Sequence, residues 1–320
     1  TTTYIEDCVT GYENGTAVTG LALSNCYGGG EIKNSRFARY SAGAASDQAC
    51  SMADCSDFVF TDCEFRLGGT NSTTRTRGSG DARGITMTRC FRVDFVRPAF
   101  ITGKASIAGC IDVTIMNPTY ADLEQGGNPG STNAVTAAID INSASANIYG
   151  EGFSNYGGVA EVHPYNGILN IASGCSNVEW RNIGTPAAPY NGGTVNPLRR
   201  VVIGSVAVGV TLRRLYAFNT ATDFGSIANT CQNVMLVDCW ADGADTNAFA
   251  GVNQTNKGGR WTNSTTGQNA VYGAHWEHAW TSTTAGRLVI KCNEPTAATA
   301  DQCAVTAGTP KFTSTGNVAA

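Results

Sequence analysis

The sequence predicts an all-β solenoid, and three observations predict it. First, the stretch at residues 55–65 (C-S-D-F-V-F-T-D-C-E-F) recurs at 110–120, 175–185 and 231–241 with the same internal spacing. Apolar and polar residues alternate within each copy, which is the period of a strand with one buried face, and an Asp or Asn before an apolar restart marks a tight bend. Second, the same bend read along the chain gives Asp7, Asn34, Asp62, Arg89, Asn117, Asn142, Asn182, Arg214, Asp238 and Asn263, at intervals of 24 to 32 residues with one of 40. A repeat of this length cannot bury its apolar side alone and must stack on its neighbours. Third, 38 glycines, 42% hydrophobic and only 14% charged residues suit strands and turns, while the Glu, Lys and Leu of helical surfaces are scarce.

The elements follow in order. Residues 5–8, 21–26 and 32–37 read as the strands of the first rungs, and Gly28-Gly29-Gly30 reads as a turn, because it lacks the helix and the Lys-Ser/Thr ending of a phosphate loop. Val59, Ile115, Trp180 and Leu236 are expected to point inward. Loops at 66–84, 121–133, 184–197 and 242–259 interrupt the rhythm; in a solenoid such insertions sit at bends, and they carry binding more often than stability. At about 4.8 Å per rung, about ten rungs would make a rod about 50 Å long. Residues 287–292 read as one more strand, which assigns 1–290 to the solenoid and 291–320 to an extended appendage.

Nine of the twelve cysteines fall into two columns, Cys8, Cys63, Cys90 and Cys239 after the bend and Cys26, Cys55, Cys110, Cys175 and Cys231 one strand earlier. They read either as free stacked thiols or as inter-rung disulfides, with Cys292 and Cys303 the pair best placed for a bridge. No zinc spacing occurs, and neither metal nor cofactor is expected. A net charge of −4 argues against a nucleic-acid partner, so Arg199-Arg200 and Arg213-Arg214 read as rung surface or partner contacts. No apolar run approaches the ~20 residues needed to cross a bilayer, so membrane insertion is not expected. Thr1 in place of Met leaves room for a leader or an upstream domain.

The long interval from Asn142 to Asn182 holds Glu151, Phe153, Tyr156, Glu161, His163 and Tyr165. Glycan hydrolysis needs two carboxyl groups about 5 to 9.5 Å apart and aromatic faces for sugar C–H surfaces. In that reading Glu161 is the general acid, Glu151 the base or nucleophile, and Tyr156, His163 and Tyr165 bind the sugar. In the other, these are solvent-facing loop residues. The cluster N-A-V-Y-G-A-H-W-E-H-A-W at 269–280 reads either as a stacking platform or as a cap and subunit contact; His275 and His278 fall on opposite strand faces and make no metal site.

The patterns F58-V-F-T-D-C-E-F65 and V234-M-L-V-D-C-W240 resemble the right-handed, single-stranded parallel β-helices of the pectin-lyase-like superfamily. Within it the chain looks most like bacteriophage tailspike proteins, in which a His-aromatic-Glu rung similar to His275-Trp276-Glu277 is often seen near the end of the helix. The resemblance implies a homotrimer in the virion tail or outside the cell. It would bind, and in part of the family depolymerise, bacterial surface polysaccharide, alongside other virion tail proteins. The polygalacturonase residue set is absent in usable order, so no catalytic residue carries over. The alternative is a non-enzymatic β-helix, either a tail or fibre component or a secreted adhesin.

Overall fold

The computed structural model describes residues 2–10, 19–39, 48–67, 83–101, 103–121, 137–156, 169–183, 190–191, 201–218, 223–227, 231, 234–237, 240–242, 247–250, 259–262, 268–272, 275–276, 289–290 and 313–314. For Ser154–Tyr156 and for most of the chain after Leu215 this covers the backbone without the side chains. Among the described residues every regular element is a strand. Two compact units divide the chain, Thr1–Leu169 and Asn170–Ala320.

In the first unit the chain visits three parallel sheets in rotation. The first sheet holds Thr3–Glu6, Tyr27–Lys33, Ser56–Thr61, Phe91–Val96, Ile111–Met116 and Ala146–Glu151. The second holds Val9–Thr10, Arg36–Arg39, Glu64–Leu67, Ala99–Ile101, Thr119–Ala121 and Ser154–Tyr156. Leu21–Ser24, Gln48–Ala53, Arg83–Thr88, Lys104–Ala108 and Ile139–Asn142 make the third. Every third strand therefore returns to the same sheet one position further along, an order compatible with a β-solenoid.

Period-two alternation aims one side of each strand at a shared core. Phe60, Phe95 and Ile115 are register partners, and each is at most 1% exposed. Phe37, Phe65 and Phe100 form the matching row of the second sheet, with ring centroids 5.9 and 5.7 Å apart, and Phe60 stacks on Phe95 at 4.9 Å. Gly30 faces Phe58 in register, and a Cβ there would lie 2.4 Å from the Phe58 ring, so only glycine leaves room for that side chain.

Three expectations need correction here. Gly28-Gly29-Gly30 is not a turn between elements but part of the strand Tyr27–Lys33, with an irregularity between Tyr27 and Gly30. Val59 does not point inward: it lies between the fully buried Phe58 and Phe60, and its register partners are the outward Glu31 and Asp94. Ile115 and Trp180 are buried as expected, so the inward position of the motif is the one held by Phe60. The bend ladder also mixed two corners. Left-handed φ values mark Asp7, Asn34, Asp62, Arg97, Asn117 and Gly152 at the corner leaving the first sheet, but Asn25, Asp54, Arg89, Gly109 and Ala144 at the corner entering it. Asp62-Cys63 at one corner and Arg89-Cys90 at the other both read as a polar residue followed by a buried cysteine, which is why Arg89 passed for a member of the wrong set. The intervals at the first corner, by subtraction, are 27, 28, 35, 20 and 35 residues, and the apparent 40-residue rung was a change of corner. Cys90 moves with this correction: it stacks with Cys55 and Cys110, and not with Cys63.

The second unit repeats the parallel order in Ser176–Ile183, Val208–Phe218, Met235–Val237 and Gln268–Tyr272. Val201–Ile203, Asp223–Ile227 and Asn247–Ala250 form another parallel set. Trp180 and its partner Leu212 are fully buried, with Val178, Val210 and Leu215 around them. Leu236 pairs with Leu212, and its side chain lies outside the described residues. Antiparallel pairing enters at Gly259–Thr262, which joins Gln268–Tyr272 on one side and Val289–Ile290 on the other. Thr313–Ser314 pairs with Val289–Ile290 in parallel.

Candidate functional site

The outward side of the first sheet in the first unit presents side chains in two straight columns. One runs Tyr4, Glu31, Val59, Asp94, Thr114, Tyr149; the other runs Glu6, Lys33, Thr61, Val96, Met116, Glu151. Parallel pairing without a register shift after Gly30 keeps them aligned at the strand spacing of about 4.8 Å. Residues two apart on one strand stand side by side, and polar pairs recur there. Tyr149 donates its hydroxyl to Glu151 Oε2 at 2.6 Å, Tyr4 donates to Glu6 Oε2 at 2.5 Å, and Lys33 meets Glu31 at 2.6 Å. Between these ends Val96 and Met116 are half-buried and Asp94 is exposed.

Glu151 ends its strand: its carbonyl accepts the Asn117 N–H at 2.6 Å, and the chain turns at Gly152 with φ 74°. A Cβ on Gly152 would lie 2.6 Å from Asn117 Oδ1, so close approach and positive φ both select glycine. Phe153 is then buried, and Ser154–Tyr156 belongs to the second sheet. The corner thus places Glu151 and Tyr156 on different sheets, and the two do not share a face. Glu161, His163 and Tyr165 lie outside the described residues, as do Cys239, Glu277, Cys292 and Cys303.

Sequence reading missed Tyr149, although the spacing Tyr149-x-Glu151 on a strand of known parity is its signal. It also missed the outward cluster of the second unit, where Arg181 and Arg213 donate Nε to Glu179 Oε1 at 2.8 and 3.0 Å. Burial raises the Glu179 carboxyl, and the two guanidinium bonds outweigh it and leave the group below its ordinary range. In the first unit Glu64 lies 3.0 Å from Arg36 and 2.9 Å from Arg66, again one carboxylate between two guanidiniums.

Three further pairs hold the turn at residues 54–62 to the turn at 89–97. Arg89 grips Asp54 through Nε and Nη2 at 2.7 and 2.6 Å, Arg97 grips Asp62 at the same two distances, and Arg92 pairs with Asp57 through both nitrogens. All six residues have left-handed φ. Equal backbone conformation one turn apart makes the two side chains run parallel, so fork meets fork. Hydrogen bonds from Arg89, Arg92 and Arg97 hold the three carboxyls below the usual aspartate range.

No group of three or more His, Cys, Asp and Glu side chains suited to a metal occurs among the described residues. Among the described residues no helix is long and apolar enough to cross a membrane. Comparison with family models, curated proteins and solved structures found no match to the chain.

Proposed function

We propose that the protein is a glycan-binding β-solenoid of the tailspike type, a right-handed single-stranded parallel β-helix of about ten turns. The observation that carries the reading is the outward strip Val59, Asp94, Thr114, Tyr149 beside Thr61, Val96, Met116, Glu151. It mixes hydrogen-bond acceptors, two hydroxyls, a phenol and apolar patches in fixed register. A sugar offers hydroxyls at its rim and C–H surface on its face, and an extended polymer repeats both along a line, so a straight, repeating strip suits it better than a compact metabolite. The low charge of the chain fits a neutral or weakly charged polymer, and bacterial surface polysaccharide is the ligand proposed. A homotrimer associated with other virion tail proteins completes the reading, because closed symmetry covers the flanks and ends that a lone solenoid leaves open.

Binding without hydrolysis is favoured over a glycosidase acting on this strip. Glu151 is already hydrogen-bonded by Tyr149, and Asp94 stands two strands away in the neighbouring column, about 10 Å or more by strand spacing, beyond the usual carboxylate separations. The experiment is titration of the protein with purified bacterial surface polysaccharides, with reducing ends assayed in parallel. Tyr149→Phe and Glu151→Gln are each expected to weaken binding about tenfold. Unchanged binding in both variants would remove the strip from the reading. Reducing ends released by the parent protein and lost in Glu151→Gln would replace the binder with an enzyme.

A further inference from the structure

Four cysteines occupy one interior column on four successive turns of the first unit. The backbone shows the stacking directly: Ser56 donates its N–H to Cys26 O at 2.9 Å, Phe91 to Cys55 O at 2.9 Å, and Ile111 to Cys90 O at 3.0 Å, so Cys26, Cys55, Cys90 and Cys110 each sit above the next. All four thiols are free; Cys55, Cys90 and Cys110 are at most 1% exposed, and Cys26 is half-buried. The column stops at Ser145, whose Oγ accepts the Cys110 N–H at 3.2 Å.

The spacing suits one kind of bridge better than another. Equivalent atoms in a parallel ladder repeat at about 4.8 Å. A metal lying midway between two sulfurs at about 2.3 Å from each sets them about 4.6 Å apart. Thiolate is the ligand that selects soft ions such as Cu(I). A disulfide instead needs a torsion near 90° and sulfurs about 2 Å apart, so stacked side chains that point the same way must turn toward one another.

We propose that this column binds soft monovalent d10 cations of the Cu(I) class, each held linearly between the thiolates of successive turns. On entry an ion forms two metal–sulfur bonds and displaces two S–H protons to solvent; no electrons are transferred. The charge left on the thiolates meets a donor in the fold, since the Cys90 N–H already points to Cys110 Sγ at 3.4 Å. Cys26, half-buried, is the most accessible of the four.

The test uses the full chain, reduced and kept anaerobic, titrated with Cu(I) in competition with bicinchoninate. Cys55→Ser with Cys110→Ser leaves no two adjacent thiols in the column, whereas Cys50→Ser with Cys63→Ser removes two buried thiols outside it. At least one Cu(I) per chain is expected in the parent and in the second variant, with affinity reduced about tenfold or more in the first. No uptake by the folded parent, or equal uptake by both variants, would overturn the proposal. Circular dichroism checks folding, and alkylation mapping of the Cu(I)-loaded parent provides a readout without mutation. There the half-buried Cys26 becomes protected and the exposed Cys8 does not, Cys55, Cys90 and Cys110 being shielded with or without the ion. Alkylation unaffected by Cu(I) would equally overturn it.

Discussion

Phe60 and Val59 are adjacent, yet they face opposite sides of the same strand. Phe60 is fully buried and stacks on Phe95 at 4.9 Å, whereas Val59 is half-buried among outward neighbours. Phe60→Ala is therefore expected to cost about 3–5 kcal/mol through lost burial and a residual cavity. Val59→Thr is expected to stay within about 0.5 kcal/mol. Urea denaturation of the two variants decides between this parity and the reverse, and equal losses would contradict the assigned faces. The recurring motif made the strand legible at this scale. Its parity was not, because Phe58, Val59 and Phe60 are three apolar residues in a row and alternation leaves no mark on such a run. Register partners with visible polarity, Glu31 and Asp94, resolve it.

At the scale of elements, the corners carry what the strands cannot. Arginine is costly in the left-handed region, and Arg89, Arg92 and Arg97 all occupy it on one turn, each bonded to an aspartate in the same conformation one turn earlier. An aspartate free in the unfolded chain titrates near 3.9, and these three are held lower when folded. Their contribution is therefore complete above that value and is lost as pH falls through the depressed folded values. The melting temperature is expected to decline as the pH is lowered below about 4, and the triple variant Asp54→Asn, Asp57→Asn, Asp62→Asn should decline less steeply over that window. Identical acid slopes in parent and variant would show that the pairs add nothing. The three arginines are more than half exposed and the aspartates partly so, so the effect is expected to shrink in high salt.

For the whole molecule the open question is assembly. A stack of parallel strands ends in unpaired backbone, and the first turn here is less buried than the next: Ile5 is half-buried, whereas its register partner Ile32 is fully buried. The trimer proposed above would elute as a species of three 33.3 kDa chains, about 100 kDa. Light scattering that returned a monomer at working concentration would remove the trimer while leaving the strip and its ligand test intact. The Trp276 to Trp280 region, expected to contribute subunit contacts, lies largely outside the described residues.

The sequence by itself determined that the described part of the chain is all-β, that its strands recur with a near-regular period, and that cysteines stack in columns. All three follow from local rules, since alternation, bend chemistry and spacing are written in consecutive residues. Only the tertiary structure decided which corner each bend belongs to, which parity Val59 takes, and that Gly152 separates Glu151 from Tyr156. It also brought Tyr149 to Glu151, Arg213 to Glu179 and Cys90 to Cys110. The reason is that turn length varies from 20 to 35 residues in the first unit, so equivalent positions are defined by hydrogen-bonded register between turns and not by counting along the chain.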